Sequence, residues 1–134
     1  MNDCIFCKII AGQMPAHKIY EDDLAFAFLD IRPINPGHTL VIPKAHQENF
    51  LKSSEADMCH LIKVAQKIAP GILKAVGAES FNLGFNVGRG AGQVIFHTHL
   101  HIMPRFPADG HEIWQGSDEH PDFQAIADQI KQRL

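Results

Sequence analysis

His97-Thr98-His99-Leu100-His101-Ile102-Met103 places an imidazole at every second residue, with an apolar or β-branched side chain between each pair. Successive side chains on an extended backbone point to opposite faces, so this alternation predicts a strand. Thr98, Leu100 and Ile102 then face the core. His97, His99 and His101 share the other face, with neighbours about 7 Å apart. Three imidazoles make a poor core, because buried polar groups need partners. They suit chemistry on an anion.

The rest of the sequence sets that strand in a small domain. The chain has 134 residues, 46% of them hydrophobic and 20% charged, a composition that argues against disorder and for one folding unit over residues 1–134. A net charge of −3 argues against general electrostatic binding to nucleic acid. No apolar run is long enough to span a membrane, and Met1-Asn2-Asp3-Cys4 opens no secretory signal. Three cysteines, two of them in Cys4-x-x-Cys7, fit a cytoplasmic protein with reduced thiols.

Five strands and one main helix are expected. Cys4 to Ile10 reads as a short helix ending near Gly12. His17–Tyr20 and Leu24–Leu29 form a hairpin across Glu21-Asp22-Asp23, and Asp30 closes its second strand. Pro33, Pro36 and Gly37 make the next segment a loop. Thr39–Ile42 is a third strand, stopped by Pro43. Ser53 and Ser54 are both candidate caps, and Ser54 with Asp57 resembles a capping box at the start of a helix whose apolar face carries Leu61, Ala65, Ile68, Ile72 and Val76. Pro70 should kink or divide it, and Gly77 should stop it. Phe81, Leu83, Phe85 and Val87 alternate with polar or small residues in a fourth strand, paired antiparallel with the histidine strand so that Asn86 approaches the histidines. The tail from Arg105 carries Trp114 and a late helical pattern. The fold class is α+β: a mostly antiparallel sheet with one main helix over a face and a short N-terminal helix.

A histidine can attack phosphorus as neutral imidazole or donate a proton as imidazolium. The glycine-rich run Gly88–Gln93 can offer backbone N–H groups to phosphate, and Asn86 and Gln93 can add neutral donors. Phosphoryl or nucleotidyl transfer through a covalent histidine is one reading. Alternate strand histidines can also hold a transition metal, and a purely structural cluster is the third reading. Cys4-x-x-Cys7 suits zinc by spacing, but two cysteines are only half of a structural site, and simple packing of both is the alternative.

The histidine stretch resembles the signature of the histidine-triad nucleotide-binding family. Phe28-Leu29-Asp30-Ile31, the run Pro36 to His46, Asn86 and Ala91-Gly92-Gln93 also stand where that family's motifs fall. Nearest in appearance is its bacterial-type branch of nucleoside phosphoramidate hydrolases. The resemblance implies a homodimer whose sheets join across the interface, with residues 105–134 as a C-terminal extension. It implies a purine nucleotide bound over the sheet, with Asp30 at the ribose hydroxyls, Ile31 against the base, and Asn86, Gly92 and Gln93 near the phosphate. His99 would be the nucleophile, His101 the phosphate contact, and His97 and His46 would orient them. It further implies that His46 and His97 complete a structural zinc site with Cys4 and Cys7, leaving the chemical step free of metal.

Two features depart from that branch. Val94 stands where phosphoramidate-cleaving relatives often carry serine, and it cannot donate a hydrogen bond. The run His101 to Arg105 resembles the dinucleoside-polyphosphate-cleaving branch, in which Arg105 would hold further phosphates. A nucleotide-binding module with incidental turnover is the reading of a different class. Of the other candidates, His38 is assigned to shaping its turn, and His17, His60, His111 and His120 to the surface. Cys59, Phe26, Phe28, Phe81 and Phe85 are assigned to packing. Trp114 is left between a dimer interface and the substrate mouth.

Overall fold

The computed structural model describes residues 3–134. Its elements, in chain order, are α1 (Ile5–Ile10), β1 (Lys18–Glu21), β2 (Ala25–Leu29), β3 (Thr39–Pro43), α2 (Glu55–Val76), β4 (Ser80–Phe85), β5 (Leu100–Arg105) and α3 (Phe123–Lys131). The strands form one antiparallel sheet in the order β1-β2-β3-β5-β4.

The alternation along β2 divides the core into two layers. Ala25 and Ala27 face α2, where they pack with Val41, Leu61, Val64, Ala65, Leu100 and Ile102. Their small side chains let the long helix lie close to the sheet. Phe26 and Phe28 face the opposite way and pack with Leu40, Ile42 and the α1 residues Phe6 and Ile9. Both faces of the central strands are therefore covered, and β3 is buried along its whole length.

Helix α2 starts and stops as expected: the Ser54 side chain accepts from the N–H of Asp57, and Gly77 takes a left-handed conformation at the C-terminus. It is not divided at Pro70. That residue and Gln66, whose carbonyl loses its helical partner there, are both exposed, so water can serve the carbonyl.

Two strand expectations change. The histidine strand begins at Leu100 rather than His97 and continues through Pro104 to Arg105. Upstream, the N–H of Thr98 bonds to the Gln47 carbonyl at 2.8 Å, so residues 97–99 are held by the loop after β3 and not by a strand. Pro104 is tolerated because β3 pairing ends at Ile102, and the Pro104 carbonyl turns toward the Asn35 amide at 3.0 Å. The N and C=O of one strand residue face the same side, so its missing N–H costs no ladder bond. On the sheet edge, Phe81 and Leu83 of β4 are exposed, against the expected packing of Phe81; Phe26 and Phe28 are core, and Phe85 is half-buried. Among the described residues no helix is long and apolar enough to cross a membrane.

Candidate active site and metal centre

The histidine face is not open. Helix α1 covers part of it, leaving His97 and His99 buried and His101 half-buried, and each ring is fixed by a different partner. His97 donates from Nε2 to the Pro43 carbonyl at 2.8 Å, which leaves the Nδ1 lone pair facing away from the cleft. His99 donates from Nδ1 to the carbonyl of His97 at 2.7 Å, which leaves Nε2 with the lone pair. Burial pushes His99 below the ordinary histidine value, so at neutral pH it is an uncharged ring with a fixed tautomer. Phe6 packs its ring against the His99 ring in an edge-on contact, with centroids 5.2 Å apart.

His101 takes the opposite tautomer. The N–H of Ile34 donates to His38 Nδ1 at 3.1 Å, so neutral His38 carries its hydrogen on Nε2. That Nε2 lies 2.9 Å from His101 Nδ1, which accepts. His101 therefore carries its hydrogen on Nε2, a buried nitrogen with no partner among the described residues. Burial first, and then the repulsion a second proton would meet beside the His99 and His38 rings, hold His101 down to about 4. The site thus presents a lone pair on His99 and an unused donor on His101, with ring centroids 4.9 Å apart.

Sequence reasoning assigned His38 to its turn; the structure places it in the histidine array. Gly37 sets its approach: its φ is +88°, and a Cβ there would meet Val76 at 3.0 Å and Pro104 at 3.2 Å. A lone histidine at the mouth of a strand carries little local signal, but its place just after Pro36-Gly37, opposite the triad strand, was the available clue.

A cleft of about 800 Å³ opens beside His99 and His101. Phe6 and Ile9 of α1 form part of its wall, and Asp30, Ile31, Gly92 and Val94 also line it. Asp30 uses one oxygen on the N–H of Arg32 at 2.8 Å and keeps the other 3.7 Å from His38 Nε2. Ile31 and Val94 are exposed along the cleft. Asn86 and Gln93 stand outside this lining. The buried Gln93 amide is committed to the loop: it donates to the carbonyls of Glu48 and Ile95 and accepts from the N–H of Gly88. The N–H groups of Ala91, Gly92 and Gln93 likewise bond back to Gly88 and Arg89.

A second cluster lies behind the triad. Cys4, Cys7, His46 and His97 bring one donor atom each to within 4.8 Å of all the others. His97 Nδ1 lies 3.5 Å from Cys4 Sγ, 3.6 Å from Cys7 Sγ and 3.2 Å from His46 Nδ1, and Cys7 Sγ lies 3.4 Å from His46 Nδ1. Tetrahedral zinc with ordinary Zn–S and Zn–N lengths requires about 3.5 Å between N and S and about 3.3 Å between two nitrogens. The donor set fits. The His97 Nε2 bond to Pro43 is the outer contact that orients such a ligand. Burial pushes the Cys7 thiol up, so a metal entering here displaces its proton.

The HIT domain family matches residues 11–108. The chain belongs to the HIT family. A HIT family protein from Bacillus anthracis superposes with a TM-score of 0.89 at 40% identity, covering 99% of this chain and 98% of that one. The adenosine 5′-monophosphoramidase of Schizosaccharomyces pombe is 35% identical over 98% of both chains. A zinc-bound histidine triad family protein from Mycobacterium smegmatis superposes with a TM-score of 0.78 at 33% identity over 99% of both. With family and geometry together, the triad of this HIT protein is the catalytic site of a hydrolase.

Proposed function

We propose that this HIT protein cleaves the P–N bond of purine nucleoside 5′-phosphoramidates. The observation that carries the reading is the buried His99 ring, held by the His97 carbonyl with its Nε2 lone pair free beside the cleft. His99 Nε2 forms a bond to the α-phosphorus while the P–N bond breaks, its electron pair leaving with the amine, which takes its proton from solvent. His101 Nε2–H donates to a phosphoryl oxygen as charge builds there. Water then attacks phosphorus and gives its proton to solvent, the P–Nε2 bond breaks with its electron pair returning to His99, and a nucleoside monophosphate leaves. The similarity to the monophosphoramidase of S. pombe supports this substrate class.

The free Asp30 oxygen accepts from the ribose hydroxyls, Ile31 and the apolar α1 wall meet the base, and Gly92 borders the phosphate, on a loop that the committed Gln93 amide holds in place. Cys4, Cys7, His46 and His97 hold structural zinc, which cross-links α1 to the sheet and supplies nothing to the bond-making steps. The imidazoles of His46 and His97 act on catalysis only through that frame; the His97 carbonyl positions His99 directly. The exposed β4 residues Phe81 and Leu83 fit a homodimer joined at the sheet edges, built from one HIT unit over 1–134 with 105–134 as its extension. Cleavage of dinucleoside polyphosphates is the weaker reading, because Arg105 is spent on Asp109 through a two-nitrogen ion pair at 2.8 and 3.1 Å.

The test offers adenosine 5′-phosphoramidate and a diadenosine polyphosphate to the protein and its His99→Ala variant. Preferential P–N cleavage, with a nucleotidyl adduct trapped on His99, is the expected result. Preferential polyphosphate cleavage transfers the protein to the other branch. Binding without turnover of either makes it a nucleotide-binding module.

A further inference from the structure

A line of hydrogen bonds enters the site from outside the cleft. After β5 the chain turns through Phe106–Asp109, with Ala108 at φ 56°. The Asp109 carboxylate accepts from Arg105 Nε at 2.8 Å and Nη2 at 3.1 Å, from the N–H of Phe106 and of His111, and from Asn35 Nδ2 at 2.9 Å. The Arg105 guanidinium holds that carboxyl well below the usual range. The knot carries His111 to the loop between β2 and β3, where His111 Nε2 donates to the Ile34 carbonyl at 2.9 Å. Ile34 is the residue whose N–H donates to His38 Nδ1, and His38 sets the tautomer of His101.

We propose that His111 is a positioning residue for the reaction. It fixes Ile34, and Ile34 fixes the His38–His101 pair in the arrangement that leaves the hydrogen of His101 on Nε2. Ile34 stands between Pro33 and Asn35 in a loop that contains two prolines, and its own carbonyl has this bond from across the fold to hold it. Without the bond, the Ile34 N–H is free to swing from His38 Nδ1, and both tautomers of the pair become accessible. The kinetic part of the proposal rests on the hydrolase reading above; the tautomer does not.

The experiment uses the full-length protein labelled with 15N in its histidines, and the variants His111→Phe and His111→Gln. Phenylalanine keeps the ring and removes the donor. Glutamine keeps a donor nitrogen at a similar reach. The expected result is a single Nε2–H tautomer at His101 in the wild type and His111→Gln, and a mixture in His111→Phe. On adenosine 5′-phosphoramidate, His111→Phe should lose about three- to tenfold in kcat with KM nearly unchanged, the span of one modest hydrogen bond, and His111→Gln should regain it. A His101 tautomer unchanged in His111→Phe, or shifted equally in both variants, overturns the proposal and returns His111 to the surface. A wild type that cleaves no phosphoramidate overturns the functional reading instead, and the tautomer comparison still decides the role of His111.

Discussion

Two histidine clusters share one seven-residue stretch and are built to opposite ends. Around Cys4, Cys7, His46 and His97, donor atoms converge on a point, and the His97 Nε2–H is turned outward to Pro43. Around His38, His99 and His101, the rings stand in a row of which His99 and His101 line the cleft, with one free lone pair and one free hydrogen on those two rings. The first arrangement has the donor set and spacing to satisfy a cation. The second leaves its donor and acceptor unspent. The residue type is the same in both; the carbonyl or N–H on the far side of each ring decides what the near side can do.

The largest expected effect separates the two clusters directly. His99→Ala should lower kcat by about 10⁴-fold or more, as removal of a nucleophile does, while zinc content measured by atomic emission stays at the wild-type level. Loss of zinc in that variant would mean the clusters are one. Next, His101→Phe should cost about 10²-fold in kcat, the scale of a lost oxyanion donor. The same variant sharpens the electrostatic contrast. His101 sits at about 4 in the folded chain against an ordinary 6.5, so as pH falls below 6.5 the unfolded chain takes up the proton first. The stability due to keeping this ring neutral is complete above pH 6.5 and is lost as pH falls through 4. Chemical denaturation at pH 7 and pH 4.5 should therefore show a smaller loss for His101→Phe than for the wild type.

Cys7→Ser should have the reverse signature of His99→Ala: zinc lost, melting temperature lowered by about 5–10 °C, and KM raised more than kcat is lowered, since α1 walls the cleft without touching the reacting atoms. An equal fall in kcat would show that the metal cluster also aims the nucleophile. The smallest effect belongs to Val94→Ser. Val94 lines the cleft and is 77% exposed, so serine there meets no packing penalty and offers the leaving group a hydrogen bond worth about threefold in kcat/KM for phosphoramidates.

The parts legible in the sequence were those whose cause is local. Alternating alanine and phenylalanine declared β2, Ser54 and Gly77 bounded α2, and period-two histidines marked the site. What escaped was set at long range. The start of β5 depends on Gln47 capturing the N–H of Thr98, 51 residues away in the chain. His38 reaches His101 across 63 residues, and His111 reaches Ile34 across 77. No spacing rule records such contacts, and a single histidine at a turn or in a tail looks like any other. The cover over the histidine face is of the same kind: the short N-terminal helix is read from the sequence, but no local pattern shows that its Phe6 and Ile9 close over the sheet.

The acceptor that aims His99 is the main-chain oxygen of residue 97, while the metal donor is that residue's ring. Any L-residue at 97 supplies the oxygen; only a few supply the ring. Replacing the cysteines, or even this imidazole, therefore removes a metal ligand and leaves in place the peptide oxygen that orients the His99 ring.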